Sequence, residues 1–251
     1  MSPRAPHRFY YAGHIDHAGI GQSLQLAAAE SRHLLRVLRL KPGTLIDIFD
    51  AGGQAWSAEV EPGSTRDVAQ VRLIAPIFQE ENAAAPLNLA VSVLKRRAMD
   101  WLLEKLSELG VDTLQPVLSA RSIGYGDFKL DSDPPERWER LALAAAKQCG
   151  RNRPLATLPP TQLREWLARP RPPAHTAFAH TGVDAQPLGA WLREQAGVAL
   201  PIWLVIGPEG GWTPEEVEAF IHAGFRPVTL GNLTLRAETA ALAAAACCRL
   251  A

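Results

Sequence analysis

Residues 202–250 read IWLVIGPEGGWTPEEVEAFIHAGFRPVTLGNLTLRAETAALAAAACCRL and hold two strand–loop–helix turns in close succession. Residues 202–206 are an apolar run of strand length. Gly207-Pro208-Glu209-Gly210-Gly211 follows at once, too rich in Gly and Pro to extend the strand or to start a helix, so the chain must turn there. Thr213 has the character of an N-cap, with Pro214 at the first helical position and Glu216 three residues on, which completes a capping-box signature. That helix is expected to reach about Ala223 and to stop at Gly224. Residues 227–230 read as a second short strand, and Gly231-Asn232 opens a second tight loop before the Ala-rich segment from Ala237. In an open α/β sheet, ligands bind outside the carboxyl ends of the strands, where both loops would lie. The glycines admit two readings: close approach of backbone to a ligand, or plain turns.

Working back along the chain, strand and helix patterns alternate from residue 87 onward. Strands are expected at 87–94, 113–118, 155–158 and 174–179. Helices are expected at 99–109, 134–148 (capped by Asp133), 161–167 and 187–195. This alternation predicts an α/β unit with a mainly parallel sheet covered on both faces. Residues 76–86, PIFQEENAAAP, lose both periodicities and read as a linker. Residues 1–75 are β-rich, with strands at 44–50, 55–60 and 68–74, and a small β-barrel is the economical fold.

Between these strands and the N-terminus lies SRHLLRVLRLKPG, where Arg32, Arg36 and Arg39 fall at i, i+4 and i+7 and would share one helix face. A single-sign stripe repels itself unless something anionic meets it, so it is either a phosphate-contacting face or a solvated helix that carries arginines. Arg8 precedes Phe9-Tyr10-Tyr11, a cation beside aromatics that could stack on bases or belong to the core.

The 26 basic and 26 acidic residues cancel, which excludes a globally basic nucleic-acid binder but leaves room for a local patch. No apolar run approaches a membrane span and the N-terminus lacks a signal-peptide core, so a cytoplasmic protein is expected. Cys149, Cys247 and Cys248 lack metal-type spacing and read as buried thiols. The histidines form no H-x-x-x-H or H-E-x-x-H pattern, so no metal is expected.

Neither a dinucleotide-fold G-x-G-x-x-G opening a helix, nor a P-loop, nor a G-x-S-x-G elbow occurs. Three charged clusters remain. Lys95-Arg96-Arg97 follows the first strand of the second unit, Arg151-Asn152-Arg153 follows a helix ending at Gly150, and Arg236 and Glu238 flank Ala237 beside the glycine loops. Cations at a helix C-terminus are favoured by the helix dipole alone, which is the plain reading of the second cluster. The helix 237–246 is so rich in Ala that it suits either a buried helix or a subunit interface.

Six of these stretches, in order, carry a resemblance: LRVLRLKPG at 35–43, K-x-x-x-M-D at 95–100, EKLSELGV at 104–111, QCGRNR at 148–153, IGPEGGWTPEE at 206–216 and LGNLTLRAETA at 230–240. Together they resemble the bacterial RsmE-like family, the 16S ribosomal RNA uridine N3-methyltransferases of the SPOUT superfamily. The resemblance spans almost the whole chain. It implies a PUA-like β-barrel for RNA over 1–75, a linker over 76–86, and over 87–251 a SPOUT α/β domain with a trefoil knot that binds S-adenosylmethionine and works as a homodimer on the 30S subunit. The chain departs from the family in two places. Where the family commonly has K-G-[DE]-[RK]-M-[DE], this chain has Lys95-Arg96-Arg97-Ala98-Met99-Asp100, and Arg32 stands where many members have a second His. Both changes bear on the detail of RNA contact.

By the same resemblance, Ile206, Gly207, Pro208, Glu209, Gly210, Gly211, Leu230, Gly231, Asn232, Leu235, Thr239 and Ala240 would line the cofactor pocket. N3 of uracil carries a proton that must leave before methylation. Arg236 is the candidate for stabilising the uracil anion, and Glu238, or else Glu209, for accepting the proton. Arg8, Arg32, Arg36, Arg39, Lys95 and Arg153 are the candidate RNA contacts. Two rival classes stay open: a non-catalytic ribosome-assembly factor, and a SPOUT methyltransferase for another RNA.

Overall fold

The computed structural model describes residues 7–15, 19–63, 67–77, 85–122, 136–182 and 184–250. By internal contacts the chain divides into two units, Met1–Glu81 with Ala146–Pro154, and Asn82–Ala145 with Leu155–Ala251.

In the first unit, β1 (Arg8–Tyr11), β2 (Ser23–Gln25), β3 (Leu45–Asp50), β4 (Ala55–Val60) and β5 (Gln70–Pro76) form one sheet in the order β1-β3-β4-β5-β2. The pairings are antiparallel except β1 with β3. Alternate residues of the strands, such as Ile46, Ile48, Ala58, Val60, Val71 and Leu73, fill one apolar core with Phe9 and Leu34. The third strand starts and ends two residues later than expected. The expected linker is described only in part, since 78–84 lie outside the described residues.

The basic helix differs from expectation. α1 (Ala28–Arg32) runs directly into a π-helical turn, His33–Val37. The wider turn carries more residues per revolution than an α-helix, so the i, i+4, i+7 phasing fails. Arg39 lies beyond it with φ 52°, the one described non-glycine residue in the left-handed region. Arg32, Arg36 and Arg39 are all exposed but do not share one helix face. Residues 146–154, expected within the second unit, group with the first. Lys147 donates to the Glu30 carboxylate and Arg8 to Asn152 Oδ1, which fastens this stretch to β1 and α1.

The second unit contains β6 (Leu87–Ser92), α2 (Arg96–Glu108), β7 (Thr113–Leu118), α3 (Glu136–Cys149, whose last four residues group with the first unit), β8 (Ala156–Thr157), β9 (Thr161–Gln162), α4 (Leu163–Ala168), β10 (His175–Ala179), β11 (Gln186–Pro187), α5 (Leu188–Gln195), β12 (Ile202–Ile206), α6 (Pro214–His222), β13 (Arg226–Thr229) and α7 (Ala237–Leu250). The sheet runs β11-β13-β10-β12-β6-β7-β8 with β9 also on β7, and every pairing is parallel. Asp133, the expected cap of α3, lies outside the described residues.

Period-two alternation sorts the strands between two cores. Leu87, Leu89 and Val91 of β6, with Leu204 and Ile206 of β12, face α2, α5 and α7. Ala90 and Val205 face the other way, toward α4 and α6, where Phe178 and Phe220 stack with centroids 4.6 Å apart. Burying Phe220 completely contributes about 1.5–3 kcal/mol relative to leaving it exposed. The capping box on α6 forms as expected: Glu216 N donates to Thr213 Oγ1 at 3.3 Å and Thr213 N to Glu216 Oε2 at 2.9 Å.

The alanines of α7 serve the chain's own core. Ala237, Ala240, Ala241, Ala244 and Ala245 are buried against elements that include α2 and β6, so this face of the helix is not free for a second subunit. None of the three cysteines is fully buried, contrary to expectation. Cys247 is exposed, while Cys149 and Cys248 are half-buried.

Candidate functional site

A cavity of about 350 Å³ opens at the carboxyl ends of β7, β10, β12 and β13. Four segments leave those ends. They are the turn containing Arg121, the stretch Ala179-His180-Thr181, the loop 206–212 with its glycines, and the loop 229–235, which leads into α7. Parallel pairing brings all four to one edge of the sheet, which is why residues scattered over more than a hundred positions converge.

Close approach demands glycine at one position of the first loop and leaves little room at another. A Cβ on Gly207 would stand 2.9 Å from the Trp212 ring, and one on Gly210 would stand 3.3 Å from the Arg121 stem. Trp212 Nε1 donates to the Ala179 carbonyl at 2.9 Å, and Arg121 Nη1 donates to the Gly210 carbonyl at 2.7 Å. The loop is thus tied on both sides. In the second loop, Thr229 Oγ1 donates to the Gly231 carbonyl at 2.9 Å, which tightens the turn. Hydrogen bonds from its own backbone and from Thr213 hold the exposed Glu215 carboxyl below its usual range, with a smaller contribution from the Arg121 charge.

Among the residues expected in the pocket, Ile206, Gly207, Pro208, Glu209, Gly210, Gly211, Leu230, Gly231, Leu235 and Ala240 line the cavity. Asn232 and Thr239 do not. Ala237 and Ala240, three apart, share the face of α7 turned to the cavity, and Thr239 projects from a different face and is exposed. Asn232 is exposed at the tip of its turn. Arg236 and Glu238 are not in the lining either, although each adjoins a residue that is; Arg236 is exposed and Glu238 half-buried.

Arg121, His180, Thr181 and Trp212 were not anticipated. The strand ending at Ala179 was, and the carboxyl-end rule applied to it would have found His180 and Thr181. Arg121 carries no local signal, because its partner is 89 residues away.

The candidate RNA contacts differ in environment. In the first unit, Arg8 is half-buried, stacks 4.8 Å from the Phe49 ring centroid, and leaves its buried Nε without a hydrogen-bond partner. Burial lowers its pKa, an effect opposed by the charges of Asp47 and Cys149. Burial raises that of Asp47, and Arg8 pulls it down. Arg36 is exposed and paired with Asp67, and Arg153 is exposed with its stem lying over Gly53. In the second unit Lys95 is exposed at the N-cap of α2. Among the described residues, no helix is long and apolar enough to cross a membrane, and no cluster of His, Cys, Asp and Glu is placed to hold a metal.

A parallel sheet with a ligand-sized cleft at its carboxyl edge, joined to a small β unit, is the frame of a two-domain enzyme. Residues 80–249 match the model of an RNA methyltransferase domain and residues 26–73 that of an RNA methyltransferase PUA domain, so the chain belongs to the RNA methyltransferase family. It is 31% identical over 224 residues to ribosomal RNA small subunit methyltransferase E of Synechocystis sp., covering 88% of this chain and 71% of that protein. To the enzyme of the same name from Buchnera aphidicola it is 28% identical, covering 90% and 89%. The crystal structure of the Neisseria gonorrhoeae ribosomal RNA small subunit methyltransferase E bound to S-adenosyl methionine superposes with a TM-score of 0.83 at 31% identity, over 97% of this chain and 96% of that one.

Proposed function

We propose that the protein methylates N3 of a uridine in 16S ribosomal RNA, using S-adenosylmethionine and acting in the cytoplasm on the 30S subunit. The observation that carries this reading is the cavity at the carboxyl edge of the sheet, lined by Gly207–Gly211, a loop whose Gly207 and Gly210 lie close against Trp212 and Arg121. Its volume falls in the range of small-molecule sites. A loop without side chains at Gly207, Gly210 and Gly211 lets an adenosine approach the backbone closely, and Leu230, Leu235 and Ala240 supply apolar contact. S-adenosylmethionine, when bound, supplies an electrophilic methyl group.

The protein's own residues must position the uracil and manage its N3 proton. Positioning alone can be worth several kcal/mol, against ~7–11 kcal/mol in well-oriented intramolecular reactions. Arg236, exposed beside the pocket lining, stabilises the uracil anion as its charge spreads onto the carbonyl oxygens. Glu238 accepts the proton; its half-burial on the first turn of α7 favours it over the exposed Glu209.

Arg32, Arg36, Arg39, Lys95 and Arg153 contact RNA phosphates. Arg8 acts through Asn152, holding the loop that carries Arg153. The trefoil knot is supported by the strand order, with β13 inserted between β11 and β10, and by the return of α7 onto α2 and β6. A homodimer is supported by Leu233, an apolar side chain on the pocket rim that is 73% exposed. With the small-residue face of α7 occupied, the partner would cover this rim.

Calorimetry with S-adenosylmethionine, followed by methyl transfer to 30S subunits, tests the reading. Arg236→Ala should bind the cofactor normally and transfer about 10²–10³-fold more slowly. Full activity in that variant would remove Arg236 from the mechanism, and absence of cofactor binding in the wild type would leave only an assembly factor.

A further inference from the structure

The turn after β7 is built into the pocket wall from a distant part of the chain. Ala120 N donates to Glu216 Oε1 at 2.8 Å, while Glu216 Oε2 accepts from Thr213 N. One carboxylate therefore caps α6 and clasps the 119–122 turn. Inside the turn Ser119 N donates to Ser122 Oγ at 2.9 Å, and Ser119 Oγ lies 3.1 Å from Ser92 Oγ at the end of β6. Arg121 projects from this braced turn onto the glycine loop, where one of its donors is engaged by the Gly210 carbonyl and its stem takes the space a side chain on Gly210 would need.

Arg121 lines the cavity, and so does Glu209, the residue next to its carbonyl acceptor. Among the described residues the cavity thus presents one guanidinium and one carboxylate, with the rest of the lining apolar or hydroxyl-bearing apart from His180. That pairing is complementary to a zwitterionic amino acid. A guanidinium has five N–H donors in a rigid fork, so engagement at Gly210 orients the group while leaving donors for a carboxylate.

We propose that Arg121 recognises the α-carboxylate at the methionine end of the cofactor, with Glu209 facing its α-ammonium, so that the pocket selects nucleosides that carry an amino acid. This rests on the S-adenosylmethionine reading of the same cavity. S-adenosylhomocysteine and 5′-methylthioadenosine share the adenosine and the thioether and differ at the amino-acid end. Their affinities are measured by calorimetry on the full-length wild type, Arg121→Ala and Arg121→Lys. The wild type should prefer S-adenosylhomocysteine. Arg121→Ala should lose about tenfold for that ligand, as expected for a solvent-screened charge-assisted hydrogen bond, with 5′-methylthioadenosine unaffected. Arg121→Lys should recover part of the loss. An equal loss for both ligands would mean that Arg121 only braces the glycine loop, and no loss for either that it is idle; each result overturns the proposal. A wild type that binds neither nucleoside would refute the S-adenosylmethionine reading itself, together with what rests on it.

Discussion

Trp212 Nε1 donates to the carbonyl of Ala179 at 2.9 Å, joining the glycine loop after β12 to the end of β10 across the sheet. The indole also lies against Gly207 and packs edge-on to Phe220 at 4.8 Å. Trp212→Phe keeps most of the packing and removes the donor. It should cost about 1–2 kcal/mol in stability and weaken S-adenosylmethionine several-fold, read by thermal unfolding and calorimetry. Unchanged affinity would separate the loop from the ligand.

The capping box on α6 gives a second expectation. Thr213→Ala removes the acceptor for Glu216 N while leaving the Glu216 clasp on Ala120 in place. Loss of an N-cap costs about 1 kcal/mol, so Tm should fall by about 2–4 °C with little change in ligand affinity.

Arg249, near the end of α7, donates to the carbonyls of Gly110 and Ala85 and to Asp112 Oδ2, the last at 2.7 Å. Its side chain is 11% exposed and Asp112 38%, so solvent screens the pair only in part. Arg249→Met should destabilise the α/β unit by about 2 kcal/mol, a fall of about 4–8 °C in Tm. A loss smaller than that of the Thr213 variant would mean that the last turn of α7 is fastened by packing alone.

The two neighbouring cysteines should differ in reactivity. Burial, with Cys247 contributing, pushes the Cys248 thiol up to about 12, so at pH 8 it is protonated and a poor nucleophile. Cys247 is exposed. Mild alkylation at pH 8, read by peptide mass, should label Cys247 first, and labelling of Cys248 should rise only as the pH climbs toward 12. Equal labelling at pH 8 would contradict the burial of Cys248.

What was legible in the sequence was local. Thr213, Pro214 and Glu216 sit within one helical turn and specify it regardless of context, so the start of α6 and the loop before it could be placed from the residues alone. The apolar run 202–206 likewise gave β12 its limits. Failures came where a distant partner or a change of helix geometry decides. The π-helical turn at His33–Val37 undid a face that had been read with α-helical spacing. Beside Phe9-Tyr10-Tyr11, Arg8 reads as a candidate RNA contact, and only the fold reveals Phe49 and Asn152 around it. Arg121 reaches the pocket through the pairing of β6 with β7 and the clasp at Glu216, neither of which has a trace in its own neighbourhood.

The central claim is tested most directly by supplying labelled S-adenosylmethionine to the protein with 30S subunits, free 16S RNA and transfer RNA in parallel, then identifying the modified nucleoside by mass. The expected result is N3-methyluridine in the 16S RNA of the 30S subunit, formed about 10²–10³-fold more slowly by Arg236→Ala. Label in transfer RNA alone, a different methylated nucleoside, or no transfer despite bound cofactor would contradict it.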